Sequence, residues 1–366
     1  MEYASRFSSP KKSEKYPRSP IDRMSPIKKS PLKNNPLIER DTAPLSPKKL
    51  KTRKDLPKNP FHQINSSNIP TNFYSNPIDW SFNDIIAYIA NSKVHFFNSK
   101  SLQSIKIEVP LYDIQSLKFS PDGESLALGS DDGSVRLFDI ESSKFTHVFE
   151  ISSSGCSYID RNETNFVSGF IDGKISLADL RSDEDDEILF GAESSPISLV
   201  KFIQGTNKVI SSSESCEIKV WDIRYNSQPL LIFKEHVSAV RAIDYSPDRN
   251  LIASGGGSTD RNLIIWDINN GSLTTKKWIG SQICNLFWNS DYGEIVTTHG
   301  FGDCSISLWN AADVKQVGII FANKNRVLYS AISNDRSKII TAAPGDPIML
   351  WMLFPDSCKK ITAKIR

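Results

Sequence analysis

A repeat constrains this 366-residue chain more than any other feature. Seven strand-like runs end alike, at Phe97-Asn98, Phe138-Asp139, Ala178-Asp179, Trp221-Asp222, Trp266-Asp267, Trp309-Asn310 and Trp351-Met352, and neighbouring ends stand 41, 40, 43, 45, 43 and 42 residues apart. A fixed period of roughly 40 to 45 residues means one supersecondary unit used repeatedly. The second unit shows its parts: Ile114 to Phe119, the turn Pro121-Asp122-Gly123, Ser125 to Ser130, the turn Asp131-Asp132-Gly133, then Ser134 to Asp139. Proline presets one backbone angle, aspartate bonds its own backbone and glycine takes positive φ, so each turn folds the chain back antiparallel. One small sheet cannot bury both faces. Seven packed radially can, and a closed ring shields the sheet edges.

The expected fold is therefore all-β, a seven-bladed WD-repeat β-propeller over residues 61–355, with a basic, disordered N-terminal tail (1–60) and a short C-terminal tail (356–366). The repeated terminal aromatics read as packing between blades, not as a ligand box. Residues 1–60 hold 16 Lys and Arg against 6 Asp and Glu, the rest 28 against 36, so a basic tail precedes an acidic body. That tail also carries 10 of the 20 prolines and almost no apolar periodicity, too little to offset the entropy of ordering. Ser-Pro occurs at Ser9, Ser19, Ser25, Ser30 and Ser46, and all but Ser19 have lysine three positions on. Such sites suit a proline-directed kinase. A Ser-Pro-Lys-Lys minor-groove binder or a plain basic tail reads equally well from this segment alone.

No run of 18 apolar residues could span a bilayer, and the start lacks a secretory pattern, so nucleus and cytoplasm are the expected locations. The five cysteines are scattered, never Cys-x-x-Cys, and read as reduced thiols. Catalytic sets are missing: the five histidines have no metal-ligand spacing, and neither a nucleophile elbow nor a phosphate loop occurs. Gly255-Gly256-Gly257 has no helix after it, which favours a tight turn or close backbone approach over a dinucleotide site. No enzyme activity, cofactor or metal is expected.

More specific wording than a propeller requires stands in the fifth and sixth units: Ala239 to Pro247, Ala253 to Arg261, Gly280 to Trp288, and Thr297 to Gly302. With Lys58 to Phe61, Phe73 to Trp80 and the closing Ile365-Arg366, the region from 58 to 366 resembles the Fizzy and Fizzy-related activators of the anaphase-promoting ubiquitin ligase. The run Arg53 to Phe61 and the Ser-Pro cluster favour the Fizzy-related branch.

The resemblance implies a non-catalytic subunit that brings degron-bearing substrates to the ligase. Ile365 and Arg366 would dock its tetratricopeptide-repeat core subunits. Arg6 and Phe7 are the nearest match to the family's second docking element, the C-box, although its Asp and Ile are lost and its proline is displaced. A phosphate on Ser9, placed there by a cyclin-dependent kinase, would oppose a site built for a cation. Ser25, Ser30 and Ser46 are the other candidates for that kinase.

For a KEN-type degron the resemblance points to Asn72, Glu214, Ser258, Gln282 and Arg326, with Asn72 where the family has Asp and Glu214 where it has Asn. For a destruction-box degron it points to Asp346 and Asn65, the latter replacing an acid. Exchanging a charge-assisted bond for a neutral one lowers affinity about tenfold. These changes point to a specialised paralogue, a meiotic one among the options. No membrane or nucleic-acid partner is expected on this reading. A different class stays open: a propeller scaffold gripping chromatin through its Ser-Pro-Lys-Lys tail.

Overall fold

The computed structural model describes residues 50–51, 55–66, 68–111, 113–181, 187–225 and 228–355. They form seven four-stranded antiparallel sheets. Six blades are continuous in sequence, beginning with Ile78–Trp80, Ile85–Ala90, Lys93–Asn98 and Gln103–Ile105. The seventh is composite: Tyr329–Ile332, Lys338–Ala342 and Ile348–Met352 take their outermost strand from the start of the chain, His62–Ile64. His62 lies opposite Leu350 and Ile64 opposite Ile348, so the first strand closes the last blade. The expected seven-bladed all-β propeller is what the chain forms. No helix among the described residues is long and apolar enough to cross a membrane.

Each second strand is buried on both faces, because every blade is sandwiched between two others. Close approach explains the glycines there. A Cβ on Gly129 would stand 2.4 Å from Ser116 Oγ and 2.6 Å from Cys156 Sγ of the next blade, and one on Gly255 would stand 2.5 Å from Ile283. Gly255 and Gly256 thus lie inside the strand Leu251–Gly256, as the close-approach reading of the triple glycine expects.

The terminal tryptophans do more than pack. Trp221, Trp266 and Trp309 each donate the indole N–H to a hydroxyl of the preceding strand, Ser211, Ser254 and Thr297, at 2.8 Å, and Trp351 does so to Thr341 at 3.1 Å. In the fifth blade the network is longer. His236 joins Ser254 at 2.7 Å through Nε2 and the Asp260 carboxylate through Nδ1. The scattered histidines of the sequence gave no hint of this pair, which lies 24 residues apart and meets only when the loop Gly257 to Arg261 folds over the blade.

Charges alternate around the inner strands. Asp79, Lys118, Asp160, Lys201 and Asp244 occupy equivalent positions in the first five blades. Lys118 reaches Asp79 at 3.1 Å and Asp160 at 3.8 Å, and Lys201 reaches Asp244 at 2.6 Å. Arg336 of the seventh blade completes Asp244 at 3.0 Å. Each carboxylate also accepts a backbone N–H from the following blade: Phe119 to Asp79, Phe202 to Asp160 and Trp288 to Asp244. Burial opposes the charge on Asp244, but Lys201, Arg336 and the Trp288 amide outweigh it and hold its carboxyl well below the ordinary range. These bonds fix the rotation of one blade against the next.

Candidate functional site

The links between blades and the turns joining second to third strands converge on one face of the ring. Glu214, Ser258 and Asp346 lie in such turns, Gln282 and Arg326 in links, Asn72 in the segment leading into the first blade, and Asn65 directly after the closing strand. All seven candidates that fall among the described residues therefore share this face.

Its centre is Arg326. Nη2 donates to Gln282 Oε1 at 3.0 Å, and the guanidinium lies 3.8 Å from the centroid of the Phe301 ring. Gln282 is buried and its main chain pairs with that of Gly300 and Phe301, which fixes its amide. Phe301 is half-exposed above the cation. No carboxylate pairs with Arg326 among the described residues, and its buried Nε has no hydrogen-bond partner. A half-buried cation so placed can accept an anionic group, because its charge is neither neutralised nor fully hydrated.

Asp346 works beneath it. Its Oδ2 accepts the backbone N–H groups of Lys324 and Asn325 at 2.8 and 2.9 Å, and its Oδ1 accepts the Asn325 amide at 3.0 Å. A buried carboxylate so engaged holds the loop that carries Arg326. Asn65 is exposed near the same end of the seventh blade, since its neighbour Ile64 pairs with Ile348.

Asn72 lies against the seventh blade, and Glu214 belongs to the fourth. The Asn72 carbonyl accepts the Tyr329 hydroxyl at 2.5 Å, and its side chain accepts the Tyr74 amide at 3.0 Å. Burial and a bond to the exposed Glu214 carboxylate push the Tyr74 phenol up. Ser258 contributes its carbonyl to Arg261 at 2.8 Å.

One residue that sequence reasoning passed over ties these parts together. Arg241, fully buried on the fifth blade, donates to the carbonyls of Leu328 and Ser75 at 2.6 Å each. Its guanidinium sits 5.6 Å from the Phe73 ring and 5.1 Å from the Tyr329 ring. It thereby spans from the fifth blade to the seventh and to the segment before the first, across the mouth of the channel. The available hint was a lone cation inside the apolar run Val240 to Ile243.

Arg6, Phe7, Ser9, Ser25, Ser30, Ser46, Ile365 and Arg366 lie outside the described residues. No cluster of three or more His, Cys, Asp or Glu among the described residues could hold a metal ion.

The description "CDC20/Fizzy WD40 domain" fits residues 64–351. Meiotic fizzy-related protein 1 of Schizosaccharomyces pombe is 31% identical over 319 residues, covering 86% of this chain and 76% of its own length. The WD repeat-containing protein srw1 of the same organism is 29% identical, covering 84% of this chain and 55% of its own length. The APC/C activator protein CDH1 of Saccharomyces cerevisiae is 26% identical, covering 84% of this chain and 54% of its own length. A chain from the crystal structure of a mitotic checkpoint complex superposes with a TM-score of 0.77 at 26% identity, covering 88% of this chain and all of that one.

Proposed function

The chain belongs to the CDC20/Fizzy WD40 family, in its Fizzy-related branch, and on that premise we propose that it is a non-catalytic activator and substrate-recognition subunit of the anaphase-promoting ubiquitin ligase. One relative is named as an activator of that complex and another as a meiotic protein, which supports an activator role with meiosis as its setting. The single observation that carries substrate recognition is Arg326, a cation without an acid, oriented by Gln282 and capped by an exposed ring. Such a group takes the carboxylate of an extended peptide, with Gln282 and Ser258 supplying neutral bonds. Glu214, an exposed acid of the fourth blade, suits a basic residue of the same peptide.

Asp346 and Asn65 would contribute to a second peptide subsite between the seventh and first blades. Arg6, Phe7, Ile365 and Arg366 would dock the ligase core, and a cyclin-dependent kinase acting at Ser9, Ser25, Ser30 and Ser46 would control engagement. The work would be done in nucleus and cytoplasm. Two weak tail contacts and a held peptide add up because each raises the local concentration of the others.

Affinity capture decides the matter. The intact chain is expected to recover ligase core subunits, and a chain lacking Ile365 and Arg366 far fewer. Recovery of none by the intact chain overturns the reading. For the peptide site, fluorescence anisotropy with a labelled Lys-Glu-Asn peptide is expected to show binding that Arg326→Ala abolishes. Equal binding by the two proteins removes Arg326 from the site.

A further inference from the structure

The described segments that lead into and out of the propeller, Leu50 with Lys51 and Leu353 with Phe354, meet at one corner, on the face opposite Arg326. Leu50 lies so near the turn between Asn289 and Glu294 that a Cβ on Gly293 would stand 2.9 Å from it. Lys51 donates its backbone N–H to Asp291 O at 3.0 Å and its ammonium to the Asp291 carboxylate at 3.4 Å. The same ammonium sits 5.4 Å from the centre of the Tyr292 ring. Phe354 packs on that ring as well, with centroids 4.6 Å apart, and Leu56 joins the same apolar cluster. Leu353 and Phe354 are pinned in turn by their amides, which donate to Ser337 O at 2.9 and 3.0 Å. One buried tyrosine thus touches the segment that leads into the propeller and the segment that leads out.

We infer that Tyr292 is a clamp that gathers the segments leading into and out of the propeller at one corner, so that both docking elements engage one large partner from a common origin while the peptide face stays open. The inference rests on the activator reading for the identity of the partner. It assigns Tyr292, Leu50, Lys51 and Phe354 a role that the propeller itself does not need. The two ends have unequal reach. Between Phe354 and Arg366 the chain can span at most about 40 Å, whereas between Phe7 and Leu50 it can span up to about 150 Å. The C-terminal hook must therefore dock close to the clamp, whereas the span of the N-terminal segment allows its element a more distant site. From a fixed origin the second contact becomes intramolecular, and the two affinities multiply.

The test compares the full chain with Tyr292→Ala, Tyr292→Phe and the surface double variant Leu50→Asp with Lys51→Ala. Tyr292→Phe keeps the ring and removes a buried hydroxyl that has no partner among the described residues, so it should behave as the parent chain. Without any ligase, trypsin cleavage at Arg53 and Lys54 is expected to rise about tenfold in Tyr292→Ala and in the double variant, with thermal unfolding of the double variant unchanged. Unaltered cleavage in both overturns the clamp, whatever the ligase result. With purified ligase, the double variant is expected to bind about tenfold more weakly than the parent chain, and the two are expected to bind equally once Ile365 and Arg366 are deleted from both. An equal loss in the shortened background means that the segment contributes only its own contacts, and the clamp is again overturned. If the intact chain binds no ligase, the activator reading fails while the proteolysis result still judges the clamp.

Discussion

Two sets of charges line this propeller, and they differ in one respect. Along the inner strands Asp79, Lys118, Asp160, Lys201 and Asp244 answer one another: Asp244 holds Lys201, Arg336 and the Trp288 amide at once, and Lys118 lies between two acids. On the open face Arg326 has an amide and a ring but no acid among the described residues. The first set is complete and therefore mechanical. The second is incomplete, and what completes it must come from elsewhere.

The sharpest way to break the contrast is Asp244→Ala, which takes the buried carboxylate shared by the half-buried Lys201 and Arg336 out of the network. Removing one member of a buried charge network costs about 3 to 5 kcal/mol, so chemical denaturation should show the ring near collapse. Peptide binding by whatever remains folded should be unchanged. The depressed Asp244 carboxyl also sets a direction: its stabilisation is complete above the usual carboxylate pKa and is lost as pH falls below it.

Next comes a buried group with no counter-charge among the described residues. Burial pushes His299 down to about 4. The unfolded chain takes up this proton near pH 6.5 and the folded one only near 4, so stability falls across that window by roughly 3 kcal/mol. Denaturation midpoints measured from pH 7 to 4.5 should decline in the parent chain and flatten in His299→Gln.

The smallest effect on the fold is expected at the site itself. Arg326→Gln should leave the melting temperature within about 2 °C, since it removes no ion pair, yet weaken an acidic peptide by about 1.5 to 3 kcal/mol in anisotropy titrations. A large stability loss here would dissolve the distinction between the two sets.

The ring was legible in the chain because its period is written seven times over, at Phe97, Phe138, Ala178, Trp221, Trp266, Trp309 and Trp351. Positions on the open face were reached through likeness to a family. The inner charges were missed, although Asp79, Lys118, Asp160, Lys201 and Asp244 recur at nearly the same spacing as the aromatics. Their partners stand a whole blade away, about as far in sequence as any local pattern fails to reach. Arg241 escaped for the same reason, since it joins elements that meet across a closed ring, whereas the His236–Asp260 pair closes within the fifth blade through a loop whose folding leaves no periodic trace.

Because the strand from His62 to Ile64 belongs to the seventh blade, the first piece of the body to be synthesised has its hydrogen-bonding place beside one of the last. A growing chain can assemble six sheets in order, but their rotation cannot be fixed until Ile348–Met352 has emerged and found its partner nearly three hundred residues upstream. Such closure is slow for entropic reasons and leaves bare strand edges in the interval. Supply of active protein is therefore sensitive to anything that delays that final pairing, long before any partner is met.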